Sequence, residues 1–183
     1  MTCKRVLYTG AIVILLAATP GLAASFGFQG AYWDTKDADH GFGGGIRSGS
    51  DLGRSLSLDF AATYFDNLAP SSASGAKLRV APFDVGLSFR VPTDAGLQPY
   101  LGGGASYYWL DSNLGSIKDE VGWYAKAGFE IGRGTGPHFF AEAMYRDVSG
   151  TIKRRDEALP DVSSKVNLQL RGLGANAGLL WRW

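Results

Sequence analysis

The sequence predicts an all-β fold, an eight-stranded antiparallel up-and-down transmembrane β-barrel. Three observations carry that prediction. The first is the final stretch LGANAGLLWRW, which alternates: Leu173, Ala175, Ala177, Leu179, Trp181 and Trp183 form one apolar row. Gly174, Asn176, Gly178, Leu180 and Arg182 form the other, small or polar apart from one leucine. Period two marks a strand with two unlike faces, and a row that stays apolar to its last residue needs an apolar environment there. The second is that tight and long connections alternate along the chain, as in a barrel with short turns at one membrane face and longer loops at the other. The third is that aromatic residues gather at the strand ends, as interfacial girdles do.

The elements follow in order. Residues 1–23 read as a secretory signal peptide: Lys4 and Arg5 precede an apolar run from Val6 to Ala18, then Pro20, Gly21, Leu22 and Ala23, with cleavage expected after Ala23 or Ala24. That run is too short for a spanning helix, which needs about 20 apolar residues. Cys3 lies ahead of the run rather than at the cleavage site, so no lipidation, disulfide, thiolate chemistry or cysteine zinc site is expected of the remainder. Residues 24–183 then form one barrel domain. Its predicted strands are 25–34, 41–49, 55–65, 77–91, 97–111, 120–132, 138–148 and 165–183, each with period-two patterning. The connections 50–54, 92–96 and 133–137 are tight and carry Asp, Gly and Pro; 35–40, 67–76, 112–119 and 149–164 are generally longer and more polar. An even number of strands returns both termini to the side of the tight turns.

The aromatics are expected in two bands. Tyr32, Trp33, Tyr64, Phe65, Tyr107 to Trp109, Trp123, Tyr124 and Tyr145 lie at the long-loop ends. Phe26, Phe28, Phe89, Tyr100, Phe129, Phe139, Phe140, Trp181 and Trp183 lie at the opposite ends. Mean hydropathy is near zero. That is no objection, because strands that alternate faces average far below a spanning helix.

Which face meets lipid is decided by the polar rows. In the third strand Ser55, Ser57, Asp59, Ala61 and Thr63 oppose Leu56, Leu58, Phe60, Ala62 and Tyr64. In the fourth, Pro82, Asp84, Gly86, Ser88 and Arg90 oppose Phe83, Val85, Leu87, Phe89 and Val91; the sixth repeats the pattern around Lys126 and Glu130. A solvated exterior gains nothing from glycine, whereas sparse charges among small residues suit the inside of a narrow barrel. The apolar rows hold no charge through their centres, where Lys or Arg facing lipid costs about 2–4 kcal/mol. The inferred lumen charges are Arg47, Arg90, Lys126, Arg146 and Arg182 against Asp59, Asp84, Glu130 and Glu142. Near-equal numbers of both signs predict an ion-paired plug and little steady conductance. Glu142 and Arg146, four apart, share a face.

These residues resemble the small outer-membrane β-barrel family of OmpA, OmpX and OmpW type. Gln98-Pro99-Tyr100-Leu101-Gly102-Gly103-Gly104 looks like the Pro-aromatic opening of a strand after a periplasmic turn, and Phe129-Glu130 with Ala141-Glu142-Ala143-Met144-Tyr145-Arg146 looks like a late hairpin of that family. The tail from Gly172 resembles its terminal strand, although the usual last residue is Phe, where this chain has Trp183. The resemblance implies a bacterial outer-membrane location with periplasmic termini and extracellular long loops. It also implies recognition of the C-terminal strand (Leu173, Leu179, Trp181, Trp183) by the barrel-assembly machinery, contact with outer-membrane lipid and lipopolysaccharide, and a monomer.

Two functions stay open: a structural or surface-interaction barrel with a closed lumen, or a small porin or carrier of apolar or small solutes in the OmpW manner. In the second, Asp59, Asp84 and Arg90 line a path and Gly103 or Gly104 marks a lateral opening. No enzyme, cofactor or metal site is expected. His138 follows a tight turn without a nearby Ser, and His40 in Asp37-Ala38-Asp39-His40 reads as a solvated turn. Two of the 18 basic residues fall in the signal segment, which leaves the remainder near neutral against 17 acidic residues and gives no reason to expect nucleic acid. Lys153-Arg154-Arg155, followed by Asp156-Glu157, reads as a solvated loop with locally cancelling charge, or as a contact for lipopolysaccharide phosphates or another polyanion.

Overall fold

The computed structural model describes residues 24–36, 40–68, 78–93, 95–112, 116–117, 120–155 and 163–183. The expected signal segment, 1–23, lies outside the described residues, as do Asp37 to Asp39 and Asp156-Glu157. The strands are β1 (Ala24–Thr35), β2 (Gly41–Asp51), β3 (Leu56–Leu68), β4 (Leu78–Arg90), β5 (Leu97–Ser112), β6 (Ser116–Ile117), β7 (Glu120–Ile131), β8 (Gly136–Asp147), β9 (Ser149–Arg155), β10 (Ser163–Gln169) and β11 (Gly172–Arg182). Eight of them close a barrel in the order β1-β11-β8-β7-β5-β4-β3-β2, every pair antiparallel, so each barrel strand neighbours the next along the chain. At 11–16 residues the barrel strands meet or exceed the about 9–11 residues needed to cross a bilayer when tilted.

Closure is made by the terminal strand. β11 pairs with β1 from Ser25↔Arg182 to Thr35↔Gly172, and Trp183 exchanges backbone hydrogen bonds with Ala24 at 3.1 and 3.3 Å. The β1–β11 ladder, extended by Trp183, thus removes the open edge that an unclosed sheet would present. At the tight-turn end, Gly96 and Gly134 adopt φ of 74° and 61°, a left-handed conformation that favours glycine.

Three departures from the sequence reading have physical causes. The predicted strand 165–183 is two elements, β10 and β11, separated at Leu170 and Arg171. Leu170 and Val148 join across the hairpin (Leu170 N donates to the Val148 carbonyl, 2.9 Å) and both side chains turn into the barrel, so the ladder breaks there. Beyond that point, the connections expected at 149–164 and 112–119 contain β9, β10 and β6, which form a separate three-stranded sheet at the loop end. Lys153-Arg154-Arg155 thus lies in β9, opposite Lys165, Ser164 and Ser163 of β10, rather than in an irregular loop.

The outer wall is apolar all round. Phe28, Val85, Leu101, Val121, Trp123, Leu173, Leu179, Trp181 and Trp183 are all exposed on it. A soluble monomer rarely exposes more than a few hundred Å² of contiguous apolar surface; here the whole circumference does so, and hydrocarbon is the solvent that suits it. Among the described residues no helix is long and apolar enough to span a membrane.

Candidate functional site

The site of interest is the lumen, and the nine charges expected there all face inward. Asp59, Asp84, Lys126, Glu130, Glu142 and Arg146 are buried, and the side chains of Arg47, Arg90 and Arg182 are nearly so. Strand register places them in tiers from the tight-turn end to the loop end.

The lowest tier joins Arg182, Glu130, Arg90, Asp51 and His138. Arg182 grips both oxygens of Glu130, with Nη2 at 2.9 Å, and its Nη1 reaches Asp51 at 3.0 Å. Arg90 pairs with Asp51 and lies 4.0 Å from Glu130. His138 places Nδ1 2.8 Å from Glu130 Oε1 and Nε2 3.0 Å from the Gly134 carbonyl, which ties the last tight turn to the network.

The middle tier centres on Glu142, which accepts hydrogen bonds from Tyr100 Oη at 2.7 Å, Asn176 Nδ2 at 2.8 Å and Arg47 Nη1 at 3.2 Å. Lys126 donates to Asp59 at 2.8 Å and lies 3.8 Å from Glu142, so one ammonium serves two carboxylates. Ser57 and Ser88 donate to Asp59 as well. Arg47 lies 4.2 Å over the ring of Phe140, a cation–π contact strengthened by desolvation.

In the third tier Arg146 makes a bidentate bond to Asp84, both arms at 2.8 Å, and Ser106 donates to the same carboxylate. Glu142 and Arg146 share a face but have separate partners, on different strands. Above them Trp33, Phe65, Leu68, Val80, Tyr108, Leu110, Val148 and Leu170 form a buried apolar cap. Between the two lower tiers the void is about 10 Å³, lined by Arg47, Asp59, Ser88, Arg90, Tyr100 and Glu130, room for about one water.

The cap corrects the two-band reading of the aromatics. Trp33, Phe65, Tyr100, Tyr108, Tyr124 and Phe140 are buried inside, while Tyr64, Tyr107, Trp123, Phe129, Phe139, Trp181 and Trp183 are exposed on the wall. The cause is the period of the strand. In Tyr64-Phe65, Tyr107-Tyr108, Trp123-Tyr124 and Phe139-Phe140, adjacent residues must point to opposite faces, so one of each pair fills the lumen. That signal was available in the sequence, as was the inward parity of His138. Asp51 was hidden by its place in an expected turn, since β2 runs two residues past the predicted end and carries it inward.

Gly103 and Gly104 do not mark an opening, because β5 is paired without a break on both sides of them. A Cβ on Gly104 would collide with the Val85 carbonyl, and one on Gly86 with Tyr124 Oη and the Gly103 backbone. These glycines permit close strand approach. The irregular ladder is elsewhere: β3–β4 pairing skips from Ala62↔Phe83 to Phe65↔Val80 in unchanged register, past Pro82, which has no N–H to donate, and the register then shifts between Phe65 and Leu68. Of the histidines, His40 lies beside the rings of Tyr32 and Phe42. Among the described residues no group of three or more His, Cys, Asp or Glu is placed to hold a metal ion.

The family described as "Outer membrane protein beta-barrel domain" matches residues 16–179. No curated protein matches the chain in sequence. Among solved structures, the outer-membrane protein OprG from Pseudomonas aeruginosa superposes with a TM-score of 0.76 at 16% identity, over 88% of this chain and 95% of that one. Neisserial surface protein A gives a TM-score of 0.64 at 14% identity, over 89% and 97%. The Escherichia coli outer membrane protein W gives 0.55 at 13% identity, over 88% and 98%. At these identities the likeness is one of fold.

Proposed function

Because the chain belongs to the outer-membrane protein β-barrel domain family, we propose that it acts in the bacterial outer membrane as a structural or surface-interaction barrel whose lumen is held shut. The observation that carries this reading is the tiered network: every lumen carboxylate has a cation partner, and the apolar cap seals the loop end. A permeation path would need unpaired groups or water-filled space, and the void between the lower tiers holds about one water. In this reading the termini are periplasmic, the loop-end sheet is extracellular, and the Leu173, Leu179, Trp181, Trp183 row is presented to the barrel-assembly machinery. The protein works as a monomer in contact with lipid and lipopolysaccharide. No catalytic step is assigned, since His138 is engaged by Glu130 and Gly134 inside the wall.

One observation favours a second reading, a carrier of small or apolar solutes: the β3–β4 ladder shifts register between Phe65 and Leu68, two residues of the cap. Single-channel recording in planar bilayers separates the two. The closed barrel gives no stable openings over a wide voltage range; reproducible openings, or solute uptake by proteoliposomes above that of empty vesicles, overturns it.

A further inference from the structure

The loop-end rim carries two cations that the lumen does not use. Lys36 follows β1 and Arg171 precedes β11, and a backbone hydrogen bond from Lys36 N to the Arg171 carbonyl (2.9 Å) holds them side by side. By register both belong to the outward row that continues down the wall as Asp34 opposite Leu173, and Leu173 opposite Tyr145. Lys36 and Arg171 are exposed, and neither forms an ion pair with a carboxylate among the described residues. They line a rim groove of about 330 Å³ floored by Leu173, itself 66% exposed, and flanked by Tyr145.

Directly below, the same outward row of β11 continues through Ala175 and Ala177 into a larger concavity of about 720 Å³. Small residues floor it (Gly30, Ala127, Ala143 and Ala177 among them), and Phe42 and Phe129 stand at its edges. The wall thus stacks two features along one strand, a paired cationic rim at the headgroup level and an apolar hollow at the acyl level.

We propose that this stack binds lipid A, with a glucosamine phosphate held by Lys36 and Arg171 and the acyl chains laid in the Gly/Ala hollow. Arg offers a planar fork that matches phosphate geometry and Lys a mobile point charge. Leu173 and Tyr145 carry the chain from one environment to the other. Two carboxylates, Asp34 in the groove and Asp147 one strand away, share the rim. They keep it from acting as a general polyanion trap and give the test a second sign. The inference rests on the wall facing lipid. It does not rest on the lumen being closed, so a conducting barrel would leave it standing.

The test is native mass spectrometry of the purified full chain, titrated in detergent with diphosphoryl lipid A and with its fully dephosphorylated form. Each basic residue near an anionic lipid surface contributes enough that Lys36→Gln with Arg171→Gln is expected to weaken retention of the diphosphoryl form about thirty-fold. Asp34→Asn strengthens it, and Arg79→Gln, across the barrel, leaves it unchanged. The dephosphorylated form binds wild type and double variant alike. Folding of each variant is checked by its heat-modifiable gel shift. Equal retention by wild type and double variant overturns the proposal. So does a loss that Arg79→Gln reproduces, or one that persists with the dephosphorylated lipid.

Discussion

Removing Glu142 is the sharpest perturbation of the lumen. Its side chain is 2% exposed and is bonded to Arg47, Tyr100 and Asn176, with Lys126 within 3.8 Å. Glu142→Ala leaves Arg47 without its carboxylate in a dry interior, and Lys126 with Asp59 alone. Breaking a buried pair in this way costs about 3–5 kcal/mol, because the stranded charge has lost its water as well as its partner. Urea unfolding in phospholipid vesicles, followed by tryptophan fluorescence, converts that to a fall in midpoint of about 2 M for a slope of about 2 kcal/mol/M. A paired replacement isolates the cause. Arg47→Met with Glu142→Leu removes one cation and one anion together and leaves Lys126 to Asp59. What remains is the orphaned Tyr100 hydroxyl and Asn176 amide, worth about 1–3 kcal/mol. The double variant is therefore expected to be more stable than Glu142→Ala alone. An unchanged midpoint for Glu142→Ala, or a double variant no better than the single, would refute the stranded-charge reasoning.

Three further outcomes follow from the wall and the closure. Gly86→Ala drives a Cβ into Tyr124 Oη and the Gly103 backbone, and thermal unfolding should show a loss of about 1–3 kcal/mol from overpacking; a neutral result means the two strands part easily. Ala143→Arg puts a cation on the exposed outer wall at mid-height and should cost about 2–4 kcal/mol in a bilayer; the same stability as wild type would argue that this wall does not meet hydrocarbon. Deleting Trp183 removes two closing hydrogen bonds to Ala24 and should slow assembly into the heat-modifiable form in vitro, whereas an unchanged folding rate would confine the role of that residue to recognition in the cell.

The barrel itself was legible because it rests on period two. Every lumen charge inferred from the polar rows faces inward, since a strand that buries one member of its row buries the rest. What the patterning did not supply is who pairs with whom. Glu142 and Arg146 lie four apart, yet their partners come from β2, β4, β5, β7 and β11. Those pairings depend on barrel shear, which local sequence does not encode. The apolar cap was missed for a different reason. Aromatic pairs at strand ends were assigned whole to the girdles, although alternation divides each pair between lipid and lumen. The break at Leu170 and Arg171 did leave a signal: the apolar residues are even-numbered at Val166, Leu168 and Leu170 and odd-numbered from Leu173 on, a change of phase that reading 165–183 as one strand passed over.

The two ends of the lumen are sealed by different physics, and this fixes which yields first. At the loop end Trp33, Phe65, Leu68 and Leu170 are 0–1% exposed, so the Arg146–Asp84 pair beneath them sits in a site from which water is excluded. There charge attraction is at its strongest, and so is the penalty for breaking it. At the tight-turn end Asp51 is 24% exposed and Arg90 and Arg182 are each 13% exposed. Water reaches that network, screens it and can replace its bonds one at a time. A barrel that opens under voltage or denaturant should therefore loosen from Asp51, Arg90 and Arg182 upward, with the bidentate Arg146–Asp84 pair the last to part. Hydrogen exchange in the bilayer tests the order directly: backbone amides around Arg90 and Arg182 should exchange before those around Asp84 and Arg146, and the reverse order would assign the weaker seal to the cap.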